Sequence, residues 1–294
     1  MGKIKFKKLA VIFIVLATIV ASLSLFWYLN TRGSFNKISD FIKNGNSLDI
    51  LQNIQKEVST PGSLVSKIES SRSYLTNPGV FAFTNKERAN IGLSALLNDS
   101  GLNKVAEERL SDMFARQYFE HVSPIGESAS TVADDFMYEY ISIGENIALG
   151  NFEDDRTLVG AWMNSPGHRA NILNPKFTNL GVAVGRGVYE GKSTWIGVQI
   201  FSKPLSQCPT VSNVLKGQID SIVSEIDILK VQIDIVQEEL QTMEKSQRNR
   251  ENYNQKVEEY NALAKEINSK NAIAKGFINN YNEQVKLFNI CIAN

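Results

Sequence analysis

Histidine is almost missing from this chain: it occurs twice in 294 residues, as His121 and His168. Any imidazole chemistry must use one or both. Cysteine is equally scarce, with only Cys208 and Cys291, so residues 1–207 offer no thiol nucleophile. Net charge is missing as well. The 31 basic and 31 acidic residues cancel, which removes the broad positive field on which nucleic-acid binding relies. No serine sits in a nucleophile-elbow pattern. Uncharged apolar runs of membrane-spanning length are lacking too, with one exception.

That exception is Leu9 to Leu29. At 1.5 Å per residue a run of this length spans roughly 30 Å, the thickness of a bilayer's hydrocarbon core. Lys3, Lys5, Lys7 and Lys8 precede it and favour a cytoplasmic N-terminus, while Trp27 and Tyr28 fall at the far interface. Residues 1–30 are read as an uncleaved signal anchor, with everything from residue 31 outside the cytoplasm. The alternative is a signal peptide cut near Ala21 and Ser22, releasing a secreted product. An even pair of cysteines suits that oxidising side of the membrane.

Residues 31–80 are polar, with weak helical periodicity and a break at "STPGS" (59–63). They are read as a stalk. Residues 81–205 have the pattern of a compact α+β domain. Thr84 with Glu87 three positions later has the spacing of a capping box. Leu102, Val105, Ala106, Leu110, Met113 and Phe114 follow helical spacing, and Phe152 to Met163 reads as another helix. Alternation on either side of "YEGK" predicts a β-hairpin.

The segment 208–291 carries two heptad seams separated by "SQRNREN". In an antiparallel hairpin, facing positions have residue numbers with a constant sum. Ile222 with Ile278, Ile226 with Ala274, Ile233 with Ile267 and Leu240 with Tyr260 all sum to 500. Cys208 and Cys291 then meet at the open base, so the register predicts their disulfide. Asn271 falls opposite Leu229 as a polar seam residue. A parallel coiled coil with a partner chain is the alternative.

The chemistry-bearing residues cluster in three loop-like stretches: His121 in "YFEHVSPIG", Glu145 in "SIGENIALG" and His168 in "NSPGHRANIL". Two imidazoles and a carboxylate make a three-ligand set of the kind that binds zinc with one position open. The same set without metal is a hydrogen-bonded cluster. The bland reading has each histidine packing locally and Glu145 capping a helix that begins at Ile147. Asn164 and Ser165 either line the same cleft or cap the next turn. Arg169 pairs with a local acid such as Glu87, or with a ligand anion. Arg88 is read as a structural ion-pair partner.

Residues 84–203 resemble a bacterial extracellular member of the CAP superfamily, which groups cysteine-rich secretory, antigen-five and pathogenesis-related proteins. The motifs are "TNKERANIGLSALLNDSGLNKVAEERLSDMFARQYFEHVSP", "GENIALG", "WMNSPGHRANILNPKFTNLGVAVG" and "WIGVQIF", in the family's order. The resemblance implies an α-β-α sandwich with a central antiparallel sheet and a large cleft. It places His121, Glu145 and His168 in three positions of a cleft tetrad that binds a divalent cation such as zinc in some members. The fourth, acidic position falls on Ser165, a poorer ligand.

The reading is a membrane-anchored extracytoplasmic binding or interaction module. Its ligand would be a lipid, a glycan or a protein, without nucleic acid, and its coiled coil would be a spacer or partner-binding arm. One alternative is a metal-assisted hydrolase of peptide or cell-wall material, with Glu145 or a histidine as general base. Another is an architectural surface protein acting through its coil.

Overall fold

The computed structural model describes residues 54, 56–66, 69–246 and 250–293. The signal-anchor reading of residues 1–30 and most of the stalk lie outside the described residues. Among those described, no helix is long and apolar enough to cross a membrane.

The chain divides into two units, one of them Asn53–Ser212 with Tyr281–Asn294. It contains a six-stranded sheet in the order β1-β4-β6-β5-β3, with β2 also paired to β4. The strands are β1 (Glu57–Ser59), β2 (Leu64–Val65), β3 (Leu97–Asn98), β4 (Tyr140–Leu149), β5 (Asn179–Tyr189) and β6 (Lys192–Pro204). The expected antiparallel sheet is corrected to a mixed one. β4, β6 and β5 are antiparallel neighbours, but β1 and β2 run parallel to β4, and β3 runs parallel to β5. The reason is connectivity: each of these short strands reaches its partner through a long connection that contains helices, which permits a parallel pairing that a tight hairpin would not.

The hairpin expected around "YEGK" forms, with Tyr189 opposite Lys192. Its two turn residues, Glu190 and Gly191, both have positive φ, 48° and 73°. That conformation matches the twist of the flanking strands.

The helices are α1 (Asn77–Asn90), α2 (Ser100–Arg116), α3 (Ala129–Asp135), α4 (Asp155–Asn164) and α5 (Pro166–Ile172). The cap expected at Thr84 is corrected to Thr76, whose hydroxyl accepts from the Gly79 N–H at 3.0 Å, with Pro78 in the first turn. Thr84 lies inside α1, fully buried, and its hydroxyl donates to the Val80 carbonyl. Asp99 caps α2 and Asp154 caps α4. The helix expected from Ile147 is instead β4, a continuous run of buried residues up to its last position. A strand buried on both faces loses the alternation that identifies strands in sequence.

Helices cover both faces of the sheet. On one, α2 and α3 bury Leu102, Val105, Met113 and Val132 against Ile143, Ile147, Ile196 and Val198. On the other, α1, α4 and α5 bury Val80, Leu158, Trp162 and Ile172 against Leu180, Val182 and Phe201. Residues 57–59 and 64–65, expected in the stalk, are strands of this sheet. Their β-branched and apolar residues are too few to announce a strand, and pairing with β4 supplies what the local pattern lacks.

Two long helices, α6 (Asn213–Ser246) and α7 (Arg250–Ala293), follow. They form the expected antiparallel hairpin. Ile222, Ile226 and Ala274 share a buried cluster, and Lys270 pairs with Glu225 as Lys256 pairs with Glu239. Both ion pairs fit a single antiparallel register. The disulfide Cys208–Cys291 is present, with Cα atoms 5.6 Å apart.

Candidate functional site

β4 positions the centre of the site. Its odd-numbered residues face α2, so Glu145 points toward that helix between Ile143 and Ile147. The apolar stripe of α2 carries one exception, Arg109, and it meets Glu145 there: Nε donates to Oε1 at 2.9 Å, with both side chains buried. The same guanidinium donates to the Tyr118 hydroxyl at 2.7 Å and to the carbonyls of Glu120 and His121, each at 3.0 Å. Arg109 therefore both neutralises Glu145 and fixes the loop that carries His121. Burial opposes the charge on Arg109, but Glu145 and Tyr118 outweigh it and hold the guanidinium above its ordinary pKa. Burial, with Asp112, pushes the Tyr118 phenol up.

Glu145 spends its second oxygen on His121. Nδ1 and Oε2 lie 2.5 Å apart. The His121 Nε2 atom is buried and has no hydrogen-bond partner among the described residues. Arg109, Glu145 and His121 thus form a chain that ends on an uncommitted imidazole nitrogen.

His168 lies on the opposite side of β4, carried by the short helix α5. Arg88 pins the end of that helix, donating to the carbonyls of Ile172 and Asn174 at 2.8 Å and to those of Ser94 and Phe177. Arg88 is structural, as expected, but it acts through carbonyls and makes no ion pair among the described residues. The His168 ring is buried, and its Nδ1 lies 2.8 Å from the Ser165 hydroxyl. Burial and the nearby His121 push its pKa down to about 4, with the Ile147 carbonyl opposing weakly. His168 is therefore neutral at pH 7. Nε2 makes no hydrogen bond of normal geometry.

A buried amide network braces this side. Asn146 donates to the His168 carbonyl and to Gln199 Oε1, each at 3.1 Å, and Gln199 donates to Thr84 Oγ1 at 2.6 Å. Asn171 donates to Asn146 Oδ1 at 3.0 Å and to the Glu145 carbonyl at 3.3 Å. Arg169, by contrast, is exposed, and no ion pair joins it to Glu87 among the described residues.

The five residues expected in one cleft divide into two groups. Asn164, Ser165 and His168 line a cavity of about 900 Å³, together with Gly62–Ser66, Ser70, Asn151–Glu153, Thr157 and Ala161. His121 and Glu145 do not line it, although His121 lies within electrostatic reach of His168. Both Glu145 oxygens are committed, a cationic guanidinium stands against the carboxylate, and Ser165 occupies the position of the second acid. Among the described residues no group of three or more His, Cys, Asp or Glu side chains is arranged to hold a metal ion.

Sequence reading missed Arg109, Asn146, Asn171 and Gln199. Arg109 had a signal: it follows Leu102, Val105 and Ala106 at helical spacing, so a charge there must find a buried partner. The amides carried no comparable mark.

The mixed sheet covered by helices on both faces, with a buried His–Glu pair, defines a CAP-like α+β sandwich. Residues 81–201 match the model of the cysteine-rich secretory protein family, CAP, and this part of the chain is a CAP domain. The uncharacterized protein YkwD of Bacillus subtilis is 43% identical over 116 residues, covering 40% of this chain and 43% of the relative. The uncharacterized membrane protein YlbC of the same organism is 36% identical over 110 residues, covering 37% of this chain and 32% of the relative. A solved extracellular protein containing an SCP domain from Bacillus anthracis is 32% identical with a TM-score of 0.37, covering 43% of this chain and 39% of that one. The chain spans less than half the length of these relatives.

Proposed function

We propose that the protein is a membrane-anchored extracytoplasmic binding module whose CAP domain takes an uncharged, hydroxyl-rich ligand, with a glycan as the best-fitting class. The observation that carries this reading is the cavity beside His168. Its volume is in the range of small-molecule sites, and its walls combine hydroxyls and amides, Ser63, Ser66, Thr157, Asn164 and Ser165, with an apolar surface from Leu64, Val65, Phe152 and Ala161. Among the described lining residues the one charged side chain is Glu153, whose carboxylate opposes an anionic headgroup. The apolar run at 9–29, the disulfide and the likeness to a membrane protein support the location. The heptad hairpin serves as spacer or partner-binding arm.

Calorimetric titration of the full chain with neutral oligosaccharides tests the reading. Binding is expected, weakened at least tenfold by Asn164→Ala or Ser165→Ala. A chain that binds no neutral glycan, or binds equally well with both substitutions, removes it.

A hydrolase reading has one observation in its favour. Glu145 orients His121 through Nδ1 and leaves Nε2 uncommitted, which is the base-and-orienter half of a catalytic set. The Ser165–His168 pair lacks such an orienting acid. Product release from glycan or peptide substrates that disappears in His121→Gln would favour hydrolysis over binding alone.

A further inference from the structure

The outer edge of β4 is covered by a strap, residues 57–65. Glu57, Val58 and Ser59 pair with Ser142, Ile143 and Gly144, and Leu64 and Val65 pair with Ala148 and Leu149. Between these pairings the strap bridges Glu145, Asn146 and Ile147 without joining the ladder. It is an extended peptide laid along a sheet edge, the arrangement by which many domains add a strand from a partner.

Three of its residues enter receptor-like positions. Ser59 is read twice by the buried Asn171: its hydroxyl donates to Asn171 Oδ1 at 2.7 Å, and its carbonyl accepts from Nδ2 at 3.4 Å. Pro61 sits over Gly167, where a Cβ would lie 2.6 Å from the proline's own Cβ. Only glycine leaves room for the ring. Leu64 packs against the buried cluster that contains Phe152 and Trp162.

The strap is otherwise lightly held. β1 is exposed along its length, and Val58 and Val65 are 51% and 58% exposed. The ion pairs Lys56–Asp134 and Lys176–Glu57 lie at the surface, where such pairs contribute little. Segments with few buried apolar contacts open at low cost.

We propose that the β4 edge is a binding groove for an extended peptide of the pattern Ser-x-Pro-x-x-Leu, filled in this chain by Ser59 to Leu64, and that a partner peptide of that pattern binds by displacing the strap. Asn171 reads the serine and the backbone, Gly167 admits the proline, and the Phe152 cluster takes the leucine. Residues 62–65 of the strap also form one wall of the cavity beside His168, so a displaced strap opens that cavity, while recognition of the peptide rests on backbone and three side chains along the sheet edge.

The test is fluorescence anisotropy with a labelled peptide of the strap's own sequence, KEVSTPGSLVS, and the full chain. Leu64→Ser loosens the strap without altering the groove and is expected to raise peptide affinity at least tenfold over wild type. Excess unlabelled strap peptide is expected to displace the label from Leu64→Ser. Peptides with the proline or the leucine replaced by alanine should bind Leu64→Ser at least tenfold more weakly. A cooperative unfolding transition in Leu64→Ser confirms that it is folded. The proposal is overturned if Leu64→Ser does not bind the peptide, if a peptide of scrambled sequence binds as well, or if Leu64→Ser binds no more tightly than wild type. Glycan binding that fails while peptide binding persists removes the cavity reading and leaves this one standing.

Discussion

Arg109 and Glu145 carry the largest single-residue stakes in the domain, because each is a buried charge neutralised mainly by the other. Removing one leaves an uncompensated ion in a low-dielectric interior, a loss of about 3–5 kcal/mol, whereas removing both together costs far less. Arg109→Met is therefore expected to destabilise strongly, and Arg109→Met/Glu145→Leu to recover much of the loss, both measured by chemical denaturation. Equal damage in the single and double variants would deny the coupling. His168 supplies a pH dependence of known sign. Its folded pKa of about 4 lies below the ordinary value of 6.5, so the unfolded chain binds the proton more readily between those values. Stability is complete above pH 6.5 and declines as pH falls toward 4, by up to about 3 kcal/mol. His168→Gln should flatten that part of the stability profile, and an unchanged slope would place its origin elsewhere.

At the scale of elements, close approach between α2 and β5 depends on a missing side chain. A Cβ on Gly181 would lie 2.2 Å from the Leu102 carbonyl carbon, which is backbone and cannot rotate away. Gly181→Ala should lower stability by about 1–3 kcal/mol, the usual cost of overpacking, and a neutral result in thermal unfolding would show that the helix shifts freely. Much of this element structure was legible in sequence. The helical period from Leu102 to Phe114, the "YEGK" hairpin and the paired seams all mark their elements. β4 was not legible, because helices cover both its faces. Nor was β1 or β2, since two or three residues carry no period and exist as strands only through their partner.

For the whole molecule, the disulfide joins positions 83 residues apart. In the chain-entropy model, closing a loop of that length restricts the unfolded state by about 4–5 kcal/mol, with measured gains often smaller. Cys208→Ser/Cys291→Ser should therefore unfold at lower denaturant concentration than wild type, and an unchanged midpoint would assign the hairpin's stability to its seam alone. The candidate site was half legible at this scale. His121, Glu145 and His168 stood out because histidine is so rare and glycine or proline flanks each motif. What they do to one another did not, since Glu145 turns to Arg109 on one face while His168 turns to Ser165 on the other.

The sequence by itself determined which residues were available for chemistry, the heptad register and, through it, the pairing of Cys208 with Cys291. Those features are local or strictly periodic, so the order of residues carries them directly. Only the tertiary structure decided that His121 pairs with Glu145 while His168 borders the cavity, that Arg109 neutralises Glu145, and that residues 57–65 lie along the sheet edge. These contacts join segments far apart in the chain, and burial on opposite faces of one strand leaves no periodic trace from which they could be read.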